Sequence, residues 1–540
     1  MAYISRNPIV QPDPWPRPAV LPIPALSCTA EIRLRLGDDA LGDGQTSKRW
    51  RPYLAIAAFA FLLVLPAILA PIKLHDSFWI DWVWTDQFAG QLRQGMLYPR
   101  WMPASHDGLG APVFYYYPPL AFYPAGLLAA LGLTPYAAIV ATFGLAFAGA
   151  GAAMYRWALG WTNHPLLAAL FYMAAPYHLA DFYGRGALAE SCAIALIPLL
   201  ALGLKRVAQG KGMTLAAIAY GAMIATHLPL ALLAGLFLAA PYALLLAKGR
   251  VRPLLAFAPP LALGIFLSAI YLLPALLLDP WRDAAALWRH DILRPEHWLL
   301  TNWAPPLEGM RLITLKVIAV IALPALFIAV RRRSIWAGYA VACCLVVAGA
   351  LPFFWSLPLI QSVQFPFRAL PFAEFGLATA LALLPKGERI AALLVAPALA
   401  LSATFLLAPA PEGAPVTLDL LVQRHPDVPE NLPPGERPYS WPSRWALDLA
   451  QRHRAPVRRG NVTIEPVFYF PAWRVTCAGG EAATFADPAT GLLAHDGAGC
   501  TRTLVWTGPE KIGALVSLLA LALLLASLIF RRAARRDAPC

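Results

Sequence analysis

Charge is scarce in this chain. Only 14% of its 540 residues are Asp, Glu, Lys or Arg, against about 25% in an average soluble domain. Acid is the scarcer sign, with 30 Asp and Glu to 43 Lys and Arg. So little polar surface could not cover a soluble globule of this size, which argues against a soluble fold. Cysteine is sparse too: Cys28, Cys192, Cys343, Cys344, Cys477, Cys500 and Cys540, with no CxxC and no Cys/His ligand spacing. That argues against a structural zinc site. Residues 1–47 lack the apolar core of a signal peptide and are rich in Pro and polar residues. They read as a disordered cytoplasmic N-terminal tail.

Apolar residues are what the chain has in excess, at 59%, with a mean hydropathy of +0.58. A spanning helix needs roughly 20 of them in a row. Candidate spans lie near 52–71, 115–132, 136–155, 164–180, 187–204, 213–227, 229–247, 253–278, 312–330, 335–352, 368–384, 388–408 and 511–530. The net charge of +13 would suit nucleic acid, but the basic residues sit mainly in short loops between apolar runs. No nucleic-acid partner is expected, because that pattern instead sets membrane orientation.

Six basic sites (Lys48/Arg49/Arg51, Lys205/Arg206/Lys211, Lys248/Arg250/Arg252, Arg331/Arg332/Arg333, Lys386/Arg389 and Arg531/Arg532/Arg535/Arg536) belong inside. Residues 72–114, 279–311, 353–367 and 409–510 then fall outside, and both termini are cytoplasmic. The number of crossings must be even, so about twelve are expected. One candidate, 115–132 or 213–227, is not a simple span. The resulting plan is an all-α polytopic domain over 48–408, an extracytoplasmic β-rich domain over 409–510, a C-terminal membrane helix over 511–530 and a basic cytoplasmic tail over 531–540. In the β-rich part, Asn461–Phe470, Ala472–Cys477 and Thr501–Thr507 carry β-branched and aromatic residues, with turn-formers at Gly479–Gly480 and Asp496–Gly497. Cys477 and Cys500 lie there, in an oxidising compartment that permits a disulfide.

The first external loop is the most informative stretch. Asp76, Asp81 and Asp86 recur at spacing five among Phe78, Trp79, Trp82, Trp84 and Phe88. Partial desolvation among aromatics raises a carboxyl's pKa and suits a base or a metal ligand. The alternative is solvated acids on a helix lying flat on the membrane. Arg100 follows in Tyr98-Pro99-Arg100-Trp101. A second cluster, Asp181-Phe182-Tyr183-Gly184-Arg185 with Glu190, sits at the mouth of a helix beginning near Ala187. Arg185 beside a helix N-terminus suits an anion; the alternative is an internal salt bridge to Asp181 or Glu190. His227, Gln364 with Arg368, and Glu374 complete the polar groups at outer membrane ends. Ionisable groups at membrane depth are costly and point to function.

At these motifs the chain resembles the bacterial membrane proteins labelled 6-pyruvoyl-tetrahydropterin synthase-related. The likeness rests on the acidic loop, Gly95 to Trp101, Phe114 to Leu120, Tyr183 to Glu190, His227, Gln364 to Arg368 and Tyr469 to Trp473. More distantly it is similar to the GT-C class of lipid-linked sugar transferases. That likeness implies a GT-C-like fold in the bacterial inner membrane and sugar transfer at the outer face from a polyprenyl-phosphate donor. Asp76 or Asp81 would be the catalytic base, or would hold a divalent metal if one takes part. Arg185 and Arg368 would hold the donor phosphate. Asp86, Arg100, Asp181, Tyr183, Glu190, His227 and Gln364 are further candidates. The partners implied are the lipid-linked donor and membrane lipids, with an acceptor the sequence does not name. Two other classes stay open: a transporter or flippase of a lipid-linked glycan, and a non-catalytic protein of cell-envelope assembly.

Overall fold

The computed structural model describes residues 50–70, 77–247, 255–290, 293–302, 308–385 and 418–536. The N-terminal tail, Asp76 and the candidate span 388–408 lie outside them. Residues Arg51–Cys540 form one unit, mostly helical.

Helices begin and end where local chemistry permits. α1 (Arg51–Leu69) is an almost uninterrupted apolar run. α2 (Phe78–Arg93) carries the acidic first loop. α3 (Phe122–Ala130) is only nine residues long. α4 (Pro135–Ala158) opens on Thr134, whose hydroxyl accepts from the Ala137 N–H at 3.2 Å, with Pro135 in the first helical position. α5 (Pro165–Met173) stops short of Pro176. α6 (Leu188–Ile194) and α7 (Ile197–Ala208) follow each other closely, then α8 (Thr214–Thr226) and α9 (Leu228–Leu233). α10 (Ala258–Leu267), α11 (Ala269–Leu277), α12 (Glu308–Arg332), α13 (Ile335–Ala348) and α14 (Leu370–Ala382) complete the main body. α13 ends at Gly349, whose φ of +104° lies in the region that glycine alone adopts freely.

Six helical stretches among the described residues are long and apolar enough to cross a membrane, or seven if the bent α10–α11 pair is one span. About twelve crossings are therefore not reached by that criterion. The reason is physical. Hydropathy sees an apolar run, but Pro and Gly break several runs into short pieces. The expected span 115–132 is a four-residue turn at Val113–Tyr116 followed by α3. The expected span 164–180 ends as α5 with a separate turn at Pro176–Leu179.

The α10–α11 break bends by 72° at Ser268. Its hydroxyl donates to the carbonyls of Gly221 at 2.8 Å and Gly264 at 3.1 Å, while the Ile270 N–H donates to Ser517 Oγ at 2.9 Å. Neighbouring helices thus re-satisfy backbone groups that a break would leave bare in lipid. Close approach makes this feasible: a Cβ on Gly221 would lie 2.9 Å from the Gly264 carbonyl oxygen, the small-residue contact typical of membrane helices.

The α-helical segment α15 (Arg444–Arg452) precedes seven short strands. They are β1 (Val457–Arg459), β2 (Val462–Phe468), β3 (Trp473–Cys477), β4 (Gly480–Ala482), β5 (Thr484–Ala486), β6 (Leu492–His495) and β7 (Thr501–Leu504). All pair antiparallel, in two sheets ordered β1-β2-β6-β5 and β4-β3-β7. The register of β2 against β6 shifts between Ile464 and Phe468, around Pro466, which has no N–H to give the ladder. A disulfide joins Cys477 to Cys500. The sheets rest on the first loop: the Phe468 N–H donates to the Leu109 carbonyl at 2.9 Å, and Trp101 packs against Phe470 and Trp473. α16 (Gly508–Arg536) then leaves the β region as the last long apolar helix.

Gly221→Val forces a side chain into the Gly264 backbone. We expect a lower thermal midpoint in detergent, with a loss of roughly 1–3 kcal/mol from overpacking. Gly149→Ala, where a Cβ meets nothing within 4 Å, should leave the midpoint unchanged or raise it.

Candidate functional site

Two backbone irregularities bring the charged residues together. Ala180–Arg185 winds as a π-helical turn and ends on Gly186 at φ +61°. A Cβ there would lie 2.5 Å from the Phe78 Cβ, so only glycine lets this turn sit against the start of α2. Such π turns recur at functional sites. Here it sets Asp181 and Arg185 side by side, 2.8 Å apart. The second irregularity is at Gln364, whose φ of +67° and ψ of −49° form a tight three-residue turn. The Phe365 N–H donates to the Val363 carbonyl at 2.8 Å. This turn is rare and strained. It presents the Val363 carbonyl and the Gln364 amide oxygen to Arg368 Nη1, at 2.6 and 3.3 Å.

Both arginines meet on Glu190, in the first turn of α6. Arg185 Nη1 lies 2.8 Å and Arg368 Nε 3.1 Å from the same oxygen, Oε2. The Tyr177 hydroxyl donates to the other oxygen at 2.5 Å and accepts from Arg185 at 3.2 Å. The rings of Phe365 and Phe367 lie beside the guanidinium of Arg185, and Phe365 also lies beside that of Arg368. Glu190 is 1% exposed, and a buried charge requires such a set of partners. Ser191 donates to the second oxygen of Asp181 at 2.5 Å.

Asp81 enters from α2. It is buried, and its Oδ2 accepts the Leu188 N–H at 3.0 Å, at the N-terminus of α6. A carboxylate there is favoured by the helix dipole. The backbone ties the same elements together, since the Ser77 N–H donates to the Arg185 carbonyl at 3.0 Å. Tyr117 lies within electrostatic reach of Asp81, Arg368, Glu190 and Arg185 at once. His227 faces Arg368, Glu190 and Arg185. Its Nδ1 accepts from the Leu230 N–H at 3.3 Å, so a neutral ring carries its proton on Nε2.

The structure thus gathers Asp81, Asp181, Arg185, Glu190, His227, Gln364 and Arg368. Tyr183 is an outlying member, its hydroxyl donating to the Leu63 carbonyl of α1 at 2.5 Å. Asp86 is exposed on another face of α2. Arg100 is elsewhere: it pairs with buried Glu510 at 2.7 Å, among the rings of Tyr98, Tyr115 and Trp506, and ties the first loop to the start of α16. Tyr177, Tyr117 and His178 escaped the sequence reading; His178 pairs with Glu374, which the sequence did single out, at 2.7 Å. His178 was detectable by the rule that flagged His227, an ionisable group ending an apolar run.

Residues 114–409, more than half of the chain, match the 6-pyruvoyl-tetrahydropterin synthase related domain, described as a membrane protein. The chain belongs to this family. No curated protein sequence matches this family member. Among solved structures it is similar to the arabinofuranosyltransferase AftD from Mycobacteria, at 20% identity and a TM-score of 0.41, over 67% of this chain and 27% of that one. A mutant of AftD gives 19% identity and a TM-score of 0.43, over 67% and 28%. The chain thus spans just over a quarter of AftD's length.

Among the described residues, the one trio of metal-type ligands in close contact is Cys477, His495 and Cys500, and its two thiols are consumed by the disulfide. Asp81 does not gather with two further such ligands among the described residues.

A last acid supports the first loop from outside. Asp427 Oδ1 accepts from Trp84 Nε1 at 3.1 Å, the Val428 N–H at 2.7 Å and Asn431 at 3.3 Å. Its Oδ2 has no hydrogen-bond partner among the described residues. Burial pushes its carboxyl up to about 7. The unfolded chain ionises near a pH of about 4, so between there and about 7 the folded state holds the extra proton. The stability that Asp427 contributes is therefore greatest at low pH and falls as pH rises through that window. We expect Asp427→Asn to raise the thermal midpoint relative to the parent chain more at pH 8 than at pH 5.

Proposed function

We propose that this protein is a membrane glycosyltransferase of GT-C type, moving a sugar from a polyprenyl-phosphate donor to an acceptor at the outer face of the bacterial inner membrane. The observation that carries the reading is the convergence of Arg185 and Arg368 on one buried carboxylate oxygen, at the helix end that Asp81 caps. So many ionisable groups in apolar surroundings are costly unless they serve a function.

In this reading Asp81 acts as the base that accepts the acceptor's hydroxyl proton. Arg368 engages Nε and Nη1 with protein groups and presents its remaining guanidinium edge to the donor phosphate. Arg185 adds positive charge where the leaving phosphate develops it in the opposite sign. Tyr177 and Asp181 hold Arg185 in place. Asp76, and a divalent ion if Asp76 and Asp81 hold one, belong to the same proposal. The orientation follows from the basic loops, which put both termini in the cytoplasm and the β region outside. Short helices separated by Pro and Gly complete the remaining crossings toward twelve by pairing end to end.

The test is transfer by purified protein in liposomes, with polyprenyl-phosphate sugars as donors. Asp81→Asn should lower turnover by about 10²–10⁴-fold, the scale of a lost general base. Arg368→Gln should raise the donor KM as well. Gel-filtration profile and thermal midpoint report folding. Full transfer by well-folded Asp81→Asn and Arg368→Gln would sink the catalytic reading.

A further inference from the structure

A cleft of about 1670 Å³ lies between residues 280–290, the segment 433–445 that leads into α15, and the loops of the β region. It exceeds the roughly 300–1,000 Å³ of pockets for drug-sized ligands. It is an open trough, not an enclosed cavity. Five aromatic side chains line it: Trp281, Tyr439, Trp441, Trp445 and Tyr469. Trp281 packs edge-on to Tyr469 at 5.4 Å between ring centres. Trp281 is 40% exposed.

The walls are held rigid. Pro433, Pro434, Pro438 and Pro442 all line the trough. Proline fixes φ and gives no N–H, so this rim is restricted before any ligand arrives. Arg289 pins it further. It pairs with Asp283 at 2.8 Å and donates to the carbonyls of Gly435 and Arg437, each at 3.2 Å. The Arg437 guanidinium lies over the Trp445 ring, at 3.8 Å. A rigid site binds without a large ordering cost.

Charge in the trough is mixed. Arg437, Arg444 and His290 face it together with Glu436 and Asp487, Arg289 is neutralised by Asp283, and Thr490 donates to Asp487 at 2.5 Å. Such walls offer both donors and acceptors, and two arginines set against two acids favour no net sign. That suits hydroxyl groups, which both donate and accept. Flat apolar rings beside them suit a ligand with C–H faces. An extended, neutral, hydroxyl-rich chain meets every one of these conditions.

We infer that the trough between the 433–445 rim and the β region binds a neutral oligosaccharide chain, stacked on Trp281 and Tyr469 and hydrogen-bonded by Arg444 and Asp487. One end of the trough reaches α2, the helix that carries Asp81, because Trp441 packs on Trp79, two residues before it. The bound chain is accordingly the acceptor, an assignment that rests on the transferase reading.

Binding is measured apart from transfer. The purified full chain in nanodiscs is titrated with mannohexaose, cellohexaose, an oligogalacturonate and a proline-rich peptide, by calorimetry. We expect a neutral oligosaccharide to bind, and the double change Trp281→Ala with Tyr469→Ala to weaken it roughly tenfold. Trp281→Phe keeps a ring and should restore most of the affinity, which separates stacking from a folding defect. Binding of the peptide alone, or of the anionic oligomer alone with loss at high salt, overturns the inference. So does neutral binding that ignores Trp281 and Tyr469. Transfer without oligosaccharide binding here defeats this inference and spares the transferase reading. Binding without transfer does the reverse.

Discussion

A charge removed from water into an apolar bundle must find partners, and Glu190 finds three. Two guanidiniums share one of its oxygens and a tyrosine hydroxyl takes the other. Breaking one arm of a buried ion pair typically costs about 3–5 kcal/mol, because the other charge stays behind unpaired. The segments carrying these groups are therefore held together. Arg368 stands 178 residues from Glu190 in sequence. Arg185 is fixed by a π turn, Arg368 by the strained turn at Gln364, and Asp81 by the start of α6. Both turns trade ideal geometry for placement of an arginine.

The sequence made part of this visible. Ionisable residues are rare enough in an apolar chain that Asp181, Arg185, Glu190 and Arg368 each attract notice, and all four meet. Their partners were less legible. Tyr177 sits in an ordinary apolar run, where a tyrosine signals nothing. Arg185 was open to Asp181 or Glu190, and the π turn lets it hold both. Spacing misled at Asp86. Residues turn about 100° each along a helix, so five positions beyond Asp81 the side chain leaves the buried face. Arg100 was a candidate through its Tyr98-Pro99-Arg100-Trp101 motif, while its partner Glu510 is most of the chain away. The strands around Val462–Phe468, Trp473–Cys477 and Thr501–Leu504 were readable because β-branched and aromatic residues alternate there between turn-formers. Crossing number was the poorest guide, since hydropathy cannot tell one long helix from two short ones joined at a proline.

The contacts of the β region reach back to the start of the chain's described helices. It touches the first loop through Phe468 and Trp101, and the Arg100–Glu510 pair closes the gap between that loop and α16. Asp427 does the same work on the Trp84 side of α2. The first loop is thus clamped from two directions by segments beyond residue 417. Its helix lies among buried aromatics and is long but only sixteen residues, short of a span, and its position depends on these clamps.

That clamping bears on how two chemically unlike substrates could meet. Trp79 and Asp81 lie two positions apart in the first turn of α2, and two positions turn a helix by about 200°. Asp81 accordingly faces α6 and the arginines, while Trp79 faces Trp441 at the edge of the trough. The ion cluster and the cleft thus meet α2 on opposite faces of the same turn. A lipid-borne phosphate would come to the cluster from between the helices, and a hydrophilic chain would come along the trough from outside. The arrangement keeps the two routes apart until they reach the same turn.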